Sequence, residues 1–153
     1  MENQFQNSLE ELLKKPYDVI DILPQRVPQN ASGSFFDVEY YLLSSEKRLE
    51  MKNRYVNVIL KMMCYYHAAI LWNGWNDQPM PKDIDSAVGE IMENHSGTLH
   101  ILFPNENVLL VFEWDCLNMT AYNMPETMRK LVEKIAWSEG MFCWKGEGSC
   151  QTI

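Results

Sequence analysis

The spacing of apolar residues along the chain predicts four helices, over residues 8–15, 44–72, 83–94 and 125–140. Each of them has an end signal, which is Pro16 for the first and His95-Ser96-Gly97 for the third. Asn73 and Gly74 follow the second helix, and Gly140 closes the fourth. The last part of the second helix, from Met62 to Trp72, is apolar on nearly every side. Because such a helix is usually surrounded by other elements, we expect it to lie at the centre of the core.

Alternating and continuous apolar runs predict five strands, over residues 35–43, 98–103, 108–114, 117–122 and 141–144. In the first of these runs, apolar residues occupy every second position from Phe36 to Leu42. The second and third runs are joined by Pro-Asn-Glu-Asn, which predicts a hairpin. The order of these elements predicts an α+β fold, with an antiparallel sheet of four to five strands, a long central helix and further helices packed on one face.

Composition limits the number of domains and the cellular compartment that we expect. The chain has 153 residues, of which 46% are hydrophobic, so we expect residues 1–153 to form one domain, with a frayed tail over residues 145–153. The four cysteines are widely spaced, and the polar start has no features of a secretory signal. We therefore predict a cytoplasmic protein with reduced thiols. The longest apolar stretch, residues 58–72, is too short and too polar to cross a membrane.

The charge is unevenly distributed along the chain. The formal net charge is −8, which disfavours binding to nucleic acids and to anionic membranes. Between Asp83 and Met128 there are eight acidic residues and no Lys or Arg, whereas acids and bases balance in the rest of the chain. A solvated acidic face that keeps the protein soluble explains this segment as well as a binding surface does.

The base-free segment, residues 83–126, favours a small acidic protein-binding domain that engages a basic partner protein. Small inhibitor or immunity-type proteins act through such charge complementarity, and the similarity to them is one of charge and size, not of sequence. Trp75 is added as a contact residue because it lies in a loop beside prolines, and tryptophan is common in protein interfaces. The predicted contact residues are Asp83, Asp85, Glu90, Glu93, Glu113, Asp115 and Trp75.

Two other functions stay open. A small-molecule or metal-dependent enzyme would have its site between the long helix and the sheet, with polar groups from Tyr65, His67, His100 and Glu113. Self-association through exposed aromatic side chains is the third alternative.

Candidate metal ligands occur in two places. Cys64 and His67 share a helical face, and Glu90, Glu93, His95 and His100 form a loose cluster. Neither group has the ligand spacing of a zinc site, and the chain has no phosphate-binding or nucleophile-elbow motif. We therefore predict no metal, no cofactor and no catalytic residue, and an enzyme is the less favoured function.

Overall fold

A computed structural model describes residues 2–114 and 117–146 of the chain. The described residues form one antiparallel sheet with strand order β3-β2-β4-β5-β6-β1-β7. The strands are β1 (Tyr17–Asp21), β2 (Ala69–Leu71), β3 (Trp75–Asn76), β4 (Thr98–Phe103), β5 (Val108–Glu113), β6 (Asn118–Tyr122) and β7 (Phe142–Lys145). The α+β prediction is confirmed, but the sheet has seven strands and not four to five. Most of the predicted tail, residues 147–153, lies outside the described residues.

The helices cover both faces of the sheet, although the sequence predicted packing on one face. They are α1 (Glu2–Leu12), α2 (Phe35–Ser44), α3 (Lys47–Met63), α4 (Pro81–Asn94) and α5 (Glu126–Ser138). Alternate side chains of β5 point to opposite faces. Leu110 and Phe112 join the large core beneath α3, α4 and α5, whereas Leu109 and Val111 pack against α1. The amphipathic α1 is buried only along Leu9 and Leu12, so it covers a small second core.

The long central helix is shorter than predicted. α3 ends at Met63, and after a turn the chain forms β2, where Ala69 pairs with Leu102 and Ile70 with Ile101. The prediction of one helix to Trp72 is wrong because a short, fully apolar run fits a buried strand as well as a buried helix. Only pairing with β4, which is distant in sequence, decides between the two.

The predicted strand over residues 35–43 is also wrong, because this segment is the helix α2. Its apolar residues alternate from Phe36 to Leu42, but they also occur in adjacent pairs such as Tyr40–Tyr41 and Leu42–Leu43. These pairs break a period of two and leave every face of the segment partly apolar. α2 packs on α3 and has no fully buried residue. It therefore lies at the surface, not in the sheet.

Candidate functional site

The first two predicted contact residues on α4 have partners within the protein. The carboxylate of Asp83 accepts a hydrogen bond from the backbone N–H of Met80 over 2.8 Å, which caps the start of the helix. Asp85 forms an ion pair of 3.1 Å with Lys52 of α3. Asp83 is therefore part of the fold, and Lys52 partly neutralises the charge of Asp85.

Glu90 and Glu93 are exposed and line a groove between α3 and α4, the α4 groove, with a volume of about 480 Å³. Arg48 and Lys52 of α3 line the same groove. A segment without bases in the sequence therefore borders two bases in space. The groove is mixed in sign, with a small excess of carboxylates.

The register of the β4–β5 hairpin separates other acids of the base-free segment. Glu113 pairs with Thr98 at one end, and the turn that carries Glu106 lies beyond the Phe103–Val108 pair at the other. Six-residue strands place these ends about 20 Å apart. Glu126 begins α5 and forms an ion pair with Arg129. The acids thus lie in several places on the surface; Asp115 is outside the described residues.

Trp75 packs within the protein. Its ring lies 5.3 Å from that of Phe5, centroid to centroid, and its indole N–H donates a hydrogen bond of 3.2 Å to the side-chain oxygen of Gln6. Both partners belong to α1. Trp75 is half-buried, and in the structure it holds α1 against the edge of the sheet.

The four polar residues of the enzyme alternative do not meet. Tyr65 and His67 are exposed in the turn after α3, whose Tyr66 contacts Phe103 at the turn end of the hairpin. Glu113 is at the opposite end. His100 is on the α1 face of β4, where burial lowers its pKa. The described side chains between α3 and the sheet are mostly apolar.

Of the candidate metal ligands, Cys64 is exposed at the end of α3. His95 stacks on Trp114, with ring centroids 4.4 Å apart and planes at 5°. In residues 2–114 and 117–146, no three His, Cys, Asp or Glu side chains are arranged to hold a metal ion. Burial raises the pKa of the Cys143 thiol to about 12, with smaller contributions from the charges of Asp18 and Glu133, so this thiol is a poor nucleophile at neutral pH. None of the helices in the described part of the chain is long and apolar enough to cross a membrane.

The surface that sequence reasoning missed is that of α2. Phe36, Val38, Tyr40 and Tyr41 are between 54% and 74% exposed, and we call these four residues the α2 surface. On the adjoining α3, Leu49 is also exposed and lines the α4 groove. The adjacent apolar residues in 35–43 were the available signal, because a surface helix with apolar residues on every face cannot bury all of them.

A small pocket lies beneath α2, at the point where β1 ends and β6 begins. Two acids line it, Asp21 from β1 and Glu39 from α2, and we call it the acidic pocket. Asp21 is only 2% exposed. Its Oδ2 atom and the Oε2 atom of Glu39 are buried without a hydrogen-bond partner. The Tyr55 hydroxyl is buried and also lacks a hydrogen-bond partner, and burial together with the charges of Asp21 and Glu39 raises its pKa.

Both acids of this pocket hold their protons more tightly than usual. Burial raises the pKa of Asp21 to about 7, and the charge of Glu39 adds to this effect, while hydrogen bonds from the backbone of Leu23 and Ile22 oppose it. Burial also raises the pKa of Glu39, against a hydrogen bond from the backbone of Leu117. Within the described residues, no ion pair reaches either carboxyl.

Comparisons with known proteins give no relative for this arrangement: no family model, no curated protein and no solved structure matches the chain.

Proposed function

We propose that the protein is a protein-binding domain whose partner is a basic protein. The observation that carries this proposal is the α2 surface, where four large apolar or aromatic side chains on one short helix are exposed to solvent. Burying such side chains is favourable, and soluble monomers rarely leave them together at the surface without a function. Tyrosine is also among the residues that contribute most to protein interfaces.

Charge favours a basic partner over a neutral one. The net charge is −8, and Glu90 and Glu93 are exposed on α4 without an ion pair in the described residues. Exposed carboxylates attract a basic protein and speed its association, while an apolar contact elsewhere on the surface limits dissociation. The acids that best fit this role are Glu90 and Glu93, because Asp83 caps its helix and Asp85 is paired with Lys52.

The test is affinity capture from native extract with matched variants. Phe36→Ser with Tyr40→Ser removes most of the aromatic area of the α2 surface. Tyr65→Ser is the control, because Tyr65 is equally exposed but follows α3 instead. We expect the double variant to lose the captured partner and the control to keep it. The partner is then purified, and its affinity for each variant is measured by titration.

Charge reversal tests whether Glu90 and Glu93 attract the basic partner. Glu90→Lys with Glu93→Lys should weaken binding of the purified partner, mainly through slower association, and should reduce the dependence of affinity on salt. Capture of the same proteins by wild type and by the Phe36→Ser, Tyr40→Ser variant, with equal affinity, would overturn the proposal.

A further inference from the structure

The acidic pocket contains the buried carboxyl of Asp21 and the half-buried carboxyl of Glu39, and no cation of the described chain pairs with either of them. All Lys, Arg and His side chains of the protein belong to the described residues, and none forms an ion pair with Asp21 or Glu39. Buried carboxylates are almost always paired or fully hydrogen-bonded. Here, one oxygen of each carboxyl has no hydrogen-bond donor. The pocket therefore offers two free acceptor oxygens to a donor group from outside the described chain.

The size of the pocket limits what can enter. Its volume of about 30 Å³ has room for one or two water-sized groups. An ammonium group fits and carries three N–H donors, enough for both free carboxyl oxygens. A guanidinium group, with four non-hydrogen atoms in one plane, is too large for the same space.

The ammonium group alone takes up this volume, so an aliphatic chain attached to it lies against apolar side chains that border the pocket. Apart from Asn118, the side chains around the two acids are apolar, and they include Phe35, Val38 and Leu117. Val38 also belongs to the α2 surface and is 54% exposed, so the pocket borders the proposed contact surface. Lysine places its apolar stem against such walls and its charge at the polar end.

We propose that the acidic pocket binds the side-chain ammonium of a lysine on the basic partner, between Asp21 and Glu39. This inference rests on the proposed function, which it deepens by naming the chemistry of one partner residue. The lysine ammonium donates hydrogen bonds to Oδ2 of Asp21 and Oε2 of Glu39, and its methylene groups lie against Val38. No covalent bond is made or broken.

The test uses the isolated protein and three small probes: the N-acetyl, C-methylamide derivatives of lysine, arginine and norleucine. Binding is followed by NMR at constant ionic strength, through the backbone amides of Leu23, Val38 and Leu117 around the pocket. We expect saturable shifts with the lysine probe and none with norleucine, which has the apolar stem without the charge. Equal shifts with the lysine and norleucine probes, or tighter binding of arginine, would overturn the proposal.

Variants locate the binding site. Asp21→Asn and Glu39→Gln keep the shape of the side chain but remove one charge, and each should weaken lysine binding about tenfold. Asp37→Asn is the matched control, because Asp37 is exposed on the same helix and does not line the pocket. Unchanged affinity in both Asp21→Asn and Glu39→Gln would overturn the proposal even if the lysine probe binds wild type.

Proton competition gives an independent readout on the wild-type protein alone. The groups that face Asp21 are Glu39 from α2 and Tyr55 from α3, with Arg54 next to Tyr55. Because the pKa of Asp21 is about 7 and lysine stays charged to about pH 10, binding should be about tenfold tighter at pH 8.5 than at pH 6. Equal affinity at the two pH values would contradict binding at these carboxyls.

The outcomes separate this inference from the proposed function. If partner capture depends on Phe36 and Tyr40 but the lysine probe does not bind, the pocket proposal fails and the contact surface stands. If the lysine probe binds at Asp21 but partner capture does not depend on the α2 surface, the ammonium site stands and the α2 surface fails as the proposed contact surface.

Discussion

Two aspartates of the same strand show how the protein treats buried charge. Asp18 and Asp21 both belong to β1 and are both 2% exposed. The Oδ2 atom of Asp18 accepts a hydrogen bond of 3.1 Å from Nε of Arg129 and forms an ion pair of 3.1 Å with its Nη2. Asp21 has no such cation within the described residues, and its pKa is raised to about 7. Burial is therefore offset by an ion pair at one position and by a retained proton at the other.

The retained proton makes stability depend on pH. In the unfolded chain Asp21 ionises near pH 4, whereas in the folded protein it keeps its proton up to about pH 7. The unfolded state thus loses its proton first as pH rises, and the free energy of unfolding should fall between these values. For Asp21 alone the expected fall between pH 5 and pH 8 is about 3 kcal/mol. The raised pKa of Glu39 acts in the same direction.

Asp21→Asn should remove this dependence, because an amide does not ionise. Urea unfolding of wild type and variant at several pH values measures the difference directly, and we expect Asp21→Asn to gain relative stability as pH rises. Asp37→Asn, at an exposed position, should follow the wild-type profile. Parallel profiles for wild type and Asp21→Asn would show that Asp21 is not a buried acid with a raised pKa.

At the scale of elements, the sequence predicts an element correctly where the element's own residues contain its periodicity and its start or end signals. The hairpin of β4 and β5, the following β6, and the helices α4 and α5 were predicted from apolar spacing, turn residues and prolines at helix starts. The elements that were missed depend on distant partners. β2 is a strand because β4 lies beside it, and β3 has only two residues, which no periodicity can reveal.

The candidate site was predicted less well than the fold, because its residues also come from elements that are distant in sequence. Asp21 and Glu39 come from separate elements, and only the fold places them in one pocket. The sequence indicates that Glu90 and Glu93 lie on one helix, but it cannot show that Arg48 and Lys52 line the same groove. Charge patterns along a sequence describe a surface only where one element supplies all of it.

The anchoring of α1 gives a prediction at this scale. Trp75→Ala removes the ring contact with Phe5 and the hydrogen bond to Gln6, and should lower the free energy of unfolding by about 2 kcal/mol, since the side chain is half-buried. In hydrogen-exchange measurements, Trp75→Ala should speed the exchange of backbone amides in α1, relative to wild type, more than it does in α5. Trp137→Ala, at a site 69% exposed, is the control and should leave α1 unchanged. If α1 exchange in Trp75→Ala matches wild type, Trp75 is free to serve as the contact residue that the sequence predicted.

At the scale of the whole molecule, the net charge and the α2 surface have opposite effects on self-association. A charge of −8 repels other copies of the chain, whereas the exposed aromatic side chains attract them. The acids lie at both ends of the hairpin and along α4, so this repulsion acts over much of the surface and not at one face. This distribution opposes close contact between copies of the chain.

Added salt should shift the balance between charge repulsion and apolar attraction of two copies of the chain, and this shift can be measured. The screening length is about 30 Å at 0.01 M salt and about 3 Å at 1 M, so added salt removes repulsion between copies but leaves apolar contacts intact. By sedimentation velocity, we expect a monomer at low salt and a rising share of dimer towards 1 M. Phe36→Ser with Tyr40→Ser should stay monomeric, and Tyr65→Ser should behave like wild type. Binding to a basic partner should instead weaken with salt, because the charges attract there. Dimer formation that is independent of salt, or that persists in the double variant, would contradict this account of the α2 surface.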